Sequence, residues 1–441
     1  MIQGTTVAEI VASVRNLVDA GVLAPTAELP TVRGLAADLG VNRNTVASAY
    51  ALLVQAGVAE TAGRRGTRIR PIPELPRDLD PDTSRRLRGD DLVDLASGNP
   101  DPALLPDLGD VVPGAGYRQV LYGDDPLDPE LLDWARVHFA PLLPAAHDIA
   151  VTHGAVDAVD RVLAAYLTRG DAVALEDPCF LASIGVLRVN GYDVVPVATD
   201  ELGMVPASLE VALARGVRAV VCTVRALNPT GASLSAERAA ELRAVLGRHP
   251  HVLVIEDDHF SGVASTTYHR VTPEDCPRWA LVRSVSKFLG PDLRLALVAA
   301  DPETVQRLET RLAAGATWVS RILQRTALHL LRDARVQGQL AAASDIYRER
   351  RDLLIREVRR RGFNLPVAPT DGVNVWIGLD RPAAPVVATL AQAGWAVTDG
   401  STYALAPDPP PAIRVTASRL TPTQAEAFAD ALARACGAAV L

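Results

Sequence analysis

The first 70 residues of this 441-residue chain carry apolar stripes separated by polar breaks that contain glycine. Apolar side chains recur every three or four positions across residues 5–21, a spacing that predicts an amphipathic helix ending at Gly21. A second, shorter helix is predicted between Thr31, whose hydroxyl can cap it, and Gly40, which permits a tight turn. The pattern therefore predicts two consecutive helices at the start of the chain.

A third helix is predicted from Arg43 to Gln55, because Asn42 is a favourable capping residue and apolar side chains follow at helical spacing. A helix, a glycine turn and a capped helix in this order predict a helix-turn-helix, whose second helix reads DNA in the major groove. The first residues of that helix are polar, as contacts with base edges and phosphates require. Its predicted DNA-facing residues are Asn42, Arg43, Asn44 and Thr45. Its predicted buried residues are Val46, Ala49, Leu52, Leu53 and Ala56.

Residues 58–69 alternate apolar and polar positions around Gly63–Gly66, which predicts a β-hairpin. Arg64 and Arg65 lie at its tip, where they suit contacts with phosphate or with the minor groove. The charge distribution agrees with this interpretation. The whole chain has a net charge of −8, but residues 1–70 carry seven arginines against five acidic residues. We therefore predict that residues 1–70 form a DNA-binding domain in which Arg64, Arg65 and Gly66 belong to a wing.

Residues 71–90 are rich in proline and charge, which predicts a short linker. From residue 91 to residue 441, short β-branched runs alternate with helical segments rich in alanine, leucine and arginine. This alternation predicts an α/β domain with a mostly parallel sheet, whose functional residues lie at the carboxyl ends of the strands. The predicted strands include 172–175, 219–222, 252–255, 281–284 and 296–298.

Apolar residues make up 49% of the chain, which favours a globular protein with a large core over a disordered one. No run of about 18 apolar residues is present, and the first residues lack a basic segment leading into an apolar one. The four cysteines have no metal-binding spacing. We therefore expect a cytoplasmic protein, associated with the nucleoid when bound to DNA, with no membrane partner and no metal site.

Lys287 is the only lysine in the chain, and the other 43 cationic side chains are arginines. Arginine supplies positive charge but cannot form an imine, because its guanidinium stays protonated. Lys287 follows two serines in Ser284-Val285-Ser286-Lys287 and is therefore a candidate Schiff-base lysine. The alternative is an ordinary surface lysine in an arginine-rich chain.

Two further clusters follow predicted strands. Gly154 and Ala155 open a helix whose first backbone N–H groups could hold a phosphate, although a plain turn is the alternative. Asp257 and Asp258 end an apolar strand, where acidic side chains are costly unless they are paired. A carboxylate that faces a protonated pyridine nitrogen is the partner that lets pyridoxal phosphate act as an electron sink.

Phe180 and Asn228 also follow predicted strands. Phe180 either packs in the core or stacks on a cofactor ring. Asn228 begins Asn228-Pro229-Thr230-Gly231, which is either a turn or the source of a donor to a cofactor oxygen.

The N-terminal block resembles the winged helix-turn-helix domain of GntR-family transcription regulators. The resemblance covers about 30 positions and adds Arg33 to the predicted DNA-facing residues. The main departure is Asn42, where the family often has serine. The matching segments are Leu29-Pro30-Thr31-Val32-Arg33-Gly34-Leu35-Ala36, Leu39-Gly40-Val41-Asn42-Arg43-Asn44-Thr45-Val46, Ala49-Tyr50 and Gly57.

Residues 91–441 resemble the fold-type I pyridoxal-phosphate proteins, the aspartate aminotransferase family, because the clusters occur in that family's order. This resemblance implies that Lys287 forms the internal aldimine and that Asp257, or alternatively Asp258, faces the pyridine nitrogen. It implies that Asn228 contacts the ring hydroxyl and that Phe180 stacks on the ring. It implies a large subdomain at about 125–300 and a small one at about 301–441 that includes the N-terminal segment. The implied phosphate-binding residues are Ser284, Arg294, Gly154, Ala155 and Tyr122, the last from a second subunit.

The same resemblance implies a substrate side. Arg414 matches the arginine that binds a substrate carboxylate with two hydrogen bonds, and Asn99 lies in the segment lining that side. His259 stands where the family commonly has a tyrosine that donates to the ring hydroxyl; an imidazole can also donate, but its charge depends on pH. The segment after Tyr122 lacks the family's usual glycine-leucine-arginine pattern.

A GntR-type reader joined to an aminotransferase-like domain is the architecture of the MocR subfamily, and the run from Glu256 to Phe260 is most similar to its PtsJ-type members. The resemblance implies a homodimeric, domain-swapped transcription regulator that binds operator DNA. It would sense pyridoxal phosphate, or an amine or amino acid, through Lys287 and would control vitamin B6 or amine metabolism. The alternative is a true aminotransferase with an accessory DNA-binding domain, and a residual transamination half-reaction fits either function.

Overall fold

The computed structural model describes residues 1–61, 66–71, 92–109 and 120–437. The described chain divides into two compact units: an N-terminal one that ends near residue 75 and includes Val189–Gly191, and a larger one formed by the rest. Nearly all of the predicted linker, and Arg64 and Arg65 of the predicted wing, lie outside the described residues. Within those ranges, no helix combines the length and the apolar character needed to span a membrane.

The N-terminal unit has the predicted helix-turn-helix. Thr6 caps the first helix, and Thr31 Oγ and Asn42 Oδ1 cap the next two by accepting from the N–H groups of Gly34 and Asn44. Gly40 ends the second helix in the left-handed region, with φ of 66°. The helices are α1 (Val7–Asp19), α2 (Val32–Leu39) and α3 (Arg43–Gln55), and the antiparallel strands are β1 (Ala59–Thr61) and β2 (Thr67–Ile69).

The buried face of α3 differs from the predicted one. Val46, Ala49 and Leu53 are buried as predicted, but Leu52 is 46% exposed and Ala56 is also exposed. Tyr50 is buried instead, and its hydroxyl donates to the carbonyl oxygen of Pro30 at 2.8 Å. The reason is the helical period: Leu52 lies roughly 110° around the helix from the centre of the buried stripe.

The larger unit begins with alternating strands and helices, as predicted. Gly-containing turns and helix caps separate the elements. They are β3 (Val93–Asp94), α4 (Pro129–Phe139), β4 (Asp148–Thr152), α5 (Ala155–Tyr166), β5 (Ala172–Asp177), α6 (Leu181–Asn190), β6 (Asp193–Asp200), β7 (Gly203–Met204), α7 (Pro206–Ala214), β8 (Ala219–Thr223), α8 (Ala236–Leu246), β9 (Leu253–Asp257), β10 (Trp279–Ser284) and β11 (Ala296–Ala300).

These strands form one eight-stranded sheet in the order β4-β11-β10-β9-β8-β5-β6-β7. Strands β10, β9, β8, β5 and β6 pair in parallel, whereas β11 and β7 are antiparallel to their neighbours. The prediction of a mostly parallel sheet is therefore confirmed. Side chains on both faces of the central strands are buried, which is why these strands read as continuous apolar runs.

The rest of the larger unit forms a separate apolar core beneath a small sheet of order β12-β15-β14, while β3 pairs in parallel with β13. Asp371 joins this part to the large sheet's loops, because its carboxylate accepts from the backbone N–H groups of Ser265 and Thr266. The elements are α9 (Pro302–Ala313), α10 (Arg321–Arg332), α11 (Ala334–Arg360), β12 (Asn374–Gly378), α12 (Ala383–Gln392), β13 (Trp395–Ala396), β14 (Thr398–Asp399), β15 (Ala412–Thr416) and α13 (Pro422–Ala435).

Candidate functional site

A cavity of about 170 Å³ opens at the carboxyl ends of the central parallel strands. Parallel strands bring the residues that follow them to one edge of the sheet, which is where ligand sites in such sheets lie. Eight of the ten predicted cofactor residues line this cavity. The lining residues are Ala155, Val156, Val159, Phe180, Ser183, Val186, Asn228, Asp257, His259, Ser284, Ser286, Lys287, Pro291 and Arg294.

Lys287 carries the primary amine of the cavity. Its Nζ donates to the carbonyl oxygen of Gly98 at 2.7 Å, between residues 189 positions apart in the sequence. Burial, and secondly the positive charge of Arg414, lower the pKa of Lys287 to about 8. A lowered pKa increases the fraction of neutral amine near physiological pH, and the neutral amine is the nucleophile.

Asp257 and Asp258 point to opposite faces of the sheet, as consecutive strand residues do. Asp257 lines the cavity, and its Oδ1 is buried without a hydrogen-bond partner among the described residues. Its Oδ2 lies 3.7 Å from Nδ1 of His259. Asp258 is fully buried and is held by Arg225 and Arg283 at 2.6 and 2.8 Å. Of the two aspartates, Asp257 is therefore the one that a ligand in the cavity meets.

One end of the cavity gathers groups that suit an anion. Helix α5 starts at Gly154 without a side-chain cap, so its first backbone N–H groups are available to a ligand. Ser284 Oγ lies 3.1 Å from Ser286 Oγ, and the guanidinium of Arg294 donates to the carbonyl oxygen of His153 at 3.3 Å. Gly154 has φ of 96°, and a Cβ there would lie 3.3 Å from the Arg294 guanidinium. The positive φ of Gly154, together with this close contact, favours glycine at this position.

Phe180, Asn228 and His259 form the sides of the cavity. Phe180 is 36% exposed, a high value for a phenylalanine, so its ring is available for stacking. Asn228 Oδ1 accepts from the side chains of Asn374 and Arg414, each at 3.3 Å. The amide nitrogen of Asn228 has no hydrogen bond within the described part of the chain and remains free to donate.

The two predicted substrate residues lie outside the cavity lining. Arg414 is buried, and its guanidinium donates to Ala96 O, to Thr398 Oγ1 at 3.3 Å and to Asn228 at 3.3 Å. Its Nε has no partner within the described ranges. Asn99 is exposed, and only its backbone N–H is seen to bond, to Ser97 Oγ at 3.4 Å.

Two predicted phosphate residues are also not in the cavity lining. Gly154 lies directly beside it, next to Ala155. Tyr122 is 91% exposed, and its ring meets the edge of Trp318 at 5.5 Å. Within one chain, Tyr122 therefore does not reach the cavity, and its assignment to a second subunit stays a prediction.

Six lining residues were not among the predicted site residues: Val156, Val159, Ser183, Val186, Ser286 and Pro291. Ser286 lies in the Ser284-Val285-Ser286-Lys287 segment, directly before Lys287. Val156 and Val159 lie three positions apart on α5, and Ser183 and Val186 do so on α6, so each pair shares a helix face. This spacing is visible in the sequence, but which face meets the cavity depends on how each helix packs on the sheet.

The predicted DNA-facing residues of the N-terminal unit lie at the start of α3 and on α2. Asn42, Arg43 and Asn44 are exposed, and Thr45 is half-buried. Arg33 is exposed on α2. Gly66 is described, with φ of 86°, and is exposed at the start of β2. The polar start of α3 is thus available to a ligand of the N-terminal unit.

Comparison with known families separates the same two parts of the chain. Residues 6–69 match the bacterial regulatory proteins of the gntR family, and residues 90–432 match aminotransferase class I and II. The kynurenine aminotransferase of Pyrococcus horikoshii has a similar fold. Its structure covers 81% of this chain, and this chain covers 93% of it, with a TM-score of 0.73 and 18% identity.

Full-length relatives combine both parts. The vitamin B6 salvage pathway transcriptional repressor PtsJ of Salmonella typhimurium is 44% identical, over 97% of this chain and 98% of its own length. The HTH-type pyridoxine biosynthesis transcriptional regulator PdxR of Corynebacterium glutamicum is 27% identical, over 90% of this chain and 88% of its own.

Pyridoxal phosphate is the cofactor of the aminotransferase family, and the cavity fits it. The unpartnered Asp257 Oδ1 matches a protonated pyridine nitrogen, and the anion-binding end at Arg294 matches a phosphate. Lys287 lines the same cavity and supplies its one primary amine. The chain belongs to the aminotransferase class I and II family and, through its N-terminal GntR-type helix-turn-helix, to the MocR subfamily of transcription regulators.

Proposed function

We propose that this protein is a homodimeric transcription regulator that binds operator DNA through its N-terminal unit and senses pyridoxal phosphate through Lys287. The regulated genes would serve vitamin B6 metabolism, as the names of PtsJ and PdxR indicate for those proteins. The observation that carries the proposal is the Lys287 amine, with its pKa lowered to about 8 by burial, in one cavity with eight of the ten predicted cofactor residues and in the same chain as a GntR-type helix-turn-helix.

Each residue of the cavity has a role in this proposal. Asp257 keeps the pyridine nitrogen protonated, because a buried carboxylate without another partner favours a proton donor beside it. Phe180 stacks on the ring, while Asn228 and His259 contact its hydroxyl edge. The phosphate is held by Ser284, Arg294 and the first N–H groups of α5 at Ala155, with Tyr122 completing the site from the second subunit. When bound, pyridoxal phosphate supplies an aldehyde that condenses with a primary amine.

Lys287 also provides a route for the response. Its Nζ donates to Gly98 O, and Gly98 lies in the segment that leads in from the predicted linker. Arg414, on β15, also donates to this segment, at the carbonyl oxygen of Ala96. The atom that attaches the cofactor therefore also holds the start of the larger unit in place. When Nζ reacts, its hydrogen bond to Gly98 changes, and the segment around Gly98 can take a different position. A ligand can change the DNA affinity only by as much as its own affinities for the protein with the segment in these two positions differ.

The test is DNA binding to the chain's own upstream region, with and without pyridoxal phosphate, measured by fluorescence anisotropy. We expect the cofactor to change the dissociation constant at least about fivefold, a typical coupling between two sites. An unchanged dissociation constant contradicts the sensor function. A salt titration of the same complex tests the reader: replacing Arg64 and Arg65 should make the slope shallower by about one unit for each phosphate that the variant no longer neutralises.

The matched variants are Lys287→Ala and Lys287→Arg. Both should lose the absorbance band of covalently bound cofactor, because alanine has no amine and arginine cannot condense. Both should keep operator binding but lose its response to the cofactor, whereas Arg307→Met, at an exposed ion pair with Glu303, should keep both. Loss of all DNA binding in folded Lys287→Ala, or retention of its full response, would rule out sensing through Lys287.

A true aminotransferase is the second candidate. Arg414 favours it because the aminotransferase resemblance assigns this arginine to a substrate carboxylate. A substrate carboxylate needs a free guanidinium fork. The Arg414 guanidinium already donates to Ala96, Thr398 and Asn228, so an amino acid would have to displace these bonds. Steady turnover of an amino acid with a keto acid at ordinary enzyme rates would establish the aminotransferase function.

A further inference from the structure

A second cavity, of about 190 Å³, lies on the other side of the Lys287 segment. Alternate residues of this segment line different cavities: Ser284 and Ser286 line the cofactor cavity, whereas Arg283 and Val285 line the second one. This alternation is the ordinary consequence of strand geometry at the end of β10. The second cavity is thus separated from the cofactor cavity by one layer of backbone.

The wall of the second cavity is mainly aromatic and aliphatic. The Phe288 ring packs against the backbone of Gly262, where a Cβ would lie only 2.4 Å from the ring. Trp134 and His138 stack at 3.7 Å, and His138 is exposed, so this pair stands at the rim. The guanidinium of Arg283 lies 5.2 Å from the centre of the Phe139 ring. Flat rings on several sides favour a flat ligand.

A buried ion-pair cluster lies at this wall. Asp258 accepts from two arginines, Arg225 at 2.6 and 2.8 Å and Arg283 at 2.8 Å. Asp258 is fully buried, and the ring of Tyr268, whose hydroxyl donates to the buried carboxylate of Glu256, lies 5.3 Å from the Arg283 guanidinium. Arg225 uses its remaining nitrogen on the carbonyl oxygen of Thr266. The cluster therefore holds Arg283 through Nε and keeps its positive charge at the wall of the second cavity.

Arg283 can bind an anionic group in this cavity. Its Nε is occupied by Asp258, and its two terminal nitrogens have no hydrogen bond within the described part of the chain. Arg283 lines the second cavity, and its side chain is 18% exposed. A guanidinium with two free nitrogens matches a carboxylate.

We propose that this cavity is a second ligand site, which binds a small planar aromatic monocarboxylate with its ring between Phe288 and Trp134 and its carboxylate on Arg283. Occupancy is transmitted to the cofactor cavity by two short connections. Arg283 is joined through Asp258 to Asp257, and Phe288 follows Lys287 directly. The ligand and pyridoxal phosphate therefore change each other's affinity by the same factor.

The test uses the full-length protein loaded with pyridoxal phosphate, so that the cofactor cavity is filled. Benzoate is the probe, benzamide its uncharged match, and cyclohexanecarboxylate its non-planar match, with dissociation constants measured by ligand-observed NMR. We expect benzoate to bind, and both matches to bind about tenfold more weakly or worse, as loss of a charge-assisted pair or of ring contacts predicts. Equal binding of benzoate and benzamide, or no binding of benzoate, would overturn the proposal.

Two variants locate the site. Arg283→Met leaves Asp258 paired one-to-one with Arg225 and should weaken benzoate binding about tenfold or more, whereas Arg307→Met should not change it. Leu340→Trp fills the cavity without altering charge and should also remove binding while the cofactor absorbance stays. Benzoate binding that persists in both variants, or that displaces the cofactor, places the ligand elsewhere and overturns the proposal. The proposal does not depend on DNA binding, so it stands or falls separately from the regulator function.

Discussion

The N-terminal unit and the cofactor cavity are built over very different lengths of sequence. In the N-terminal unit, Thr31 and Asn42 cap backbone N–H groups only three and two residues away. In the cavity, Lys287 bonds a carbonyl oxygen 189 residues away. The buried cluster behind the cavity also joins distant segments, since Arg225 and Asp258 are 33 residues apart. Short-range contacts such as helix caps form the N-terminal unit, whereas the cofactor cavity is formed by residues from the ends of separate strands of the large sheet.

This difference predicts unequal costs when a single polar group is removed. Asp258→Asn leaves the buried Arg225 and the half-buried Arg283 without their shared counter-charge, so we expect the larger unit to lose about 3–5 kcal/mol of stability. Hydrogen exchange should show this loss in peptides from β8, β9 and β10, but not in peptides from α1 to α3. Asp257→Asn is the matched control: Asp257 Oδ1 has no hydrogen bond to lose among the described residues, so its effect on stability should be much smaller.

Arg283→Met sharpens the same experiment. It removes one arginine but leaves a balanced pair of Asp258 and Arg225, so it should cost less stability than Asp258→Asn. Equal costs for Asp258→Asn and Asp257→Asn would contradict the view that the buried cluster holds the large sheet together at this point.

The next prediction concerns the pH dependence of the sensor. The pKa of Lys287 is lowered to about 8 by burial and then by Arg414. Below pH 8 the ammonium form predominates and cannot attack an aldehyde, so uptake of pyridoxal phosphate should accelerate as the pH rises through about 8. Arg414→Met removes the neighbouring positive charge. It should raise the pKa of Lys287 and move the midpoint of the rate profile upward.

Stopped-flow absorbance at a series of pH values gives this midpoint, and Arg307→Met serves as the control. A downward or absent shift in Arg414→Met would mean that Arg414 does not act on Lys287 through its charge. The DNA affinity of the cofactor-free protein should not follow this profile if the N-terminal unit is built by local contacts alone.

The same division explains what the sequence could predict. The caps at Thr31 and Asn42 and the turn at Gly40 were predicted correctly because each depends on its immediate neighbours. Leu52 was assigned wrongly to the core, since an apolar side chain one position off the buried stripe looks the same in the sequence. The position of the cavity was also predicted correctly, because the candidate residues follow predicted parallel strands, whose carboxyl ends meet at one edge of the sheet.

The cavity itself was only partly predictable. The pattern left Asp257 and Asp258 as alternatives, and only the direction of each side chain relative to the sheet shows that Asp257 lines the cavity. The pairing of Asp258 with Arg225 and Arg283 had no local signal, because these residues come from three different strands or loops. Whether Tyr122 completes the site depends on a second subunit, which one chain does not contain.

The smallest predicted effect tests the local side of the comparison. Thr31→Ala removes the hydroxyl that accepts from the N–H of Gly34 at 3.1 Å, so α2 should lose about 1 kcal/mol, the usual worth of a helix cap. Hydrogen exchange of α2 peptides measures this change, and Thr31→Ser, which keeps the hydroxyl, should remain within a few tenths of a kcal/mol of the parent. Peptides of the large sheet should exchange unchanged, and cofactor uptake should keep its midpoint. If the cap variant instead loosened the large sheet, the two units would not be built independently, and the contrast between a local reader and an assembled sensor would fail.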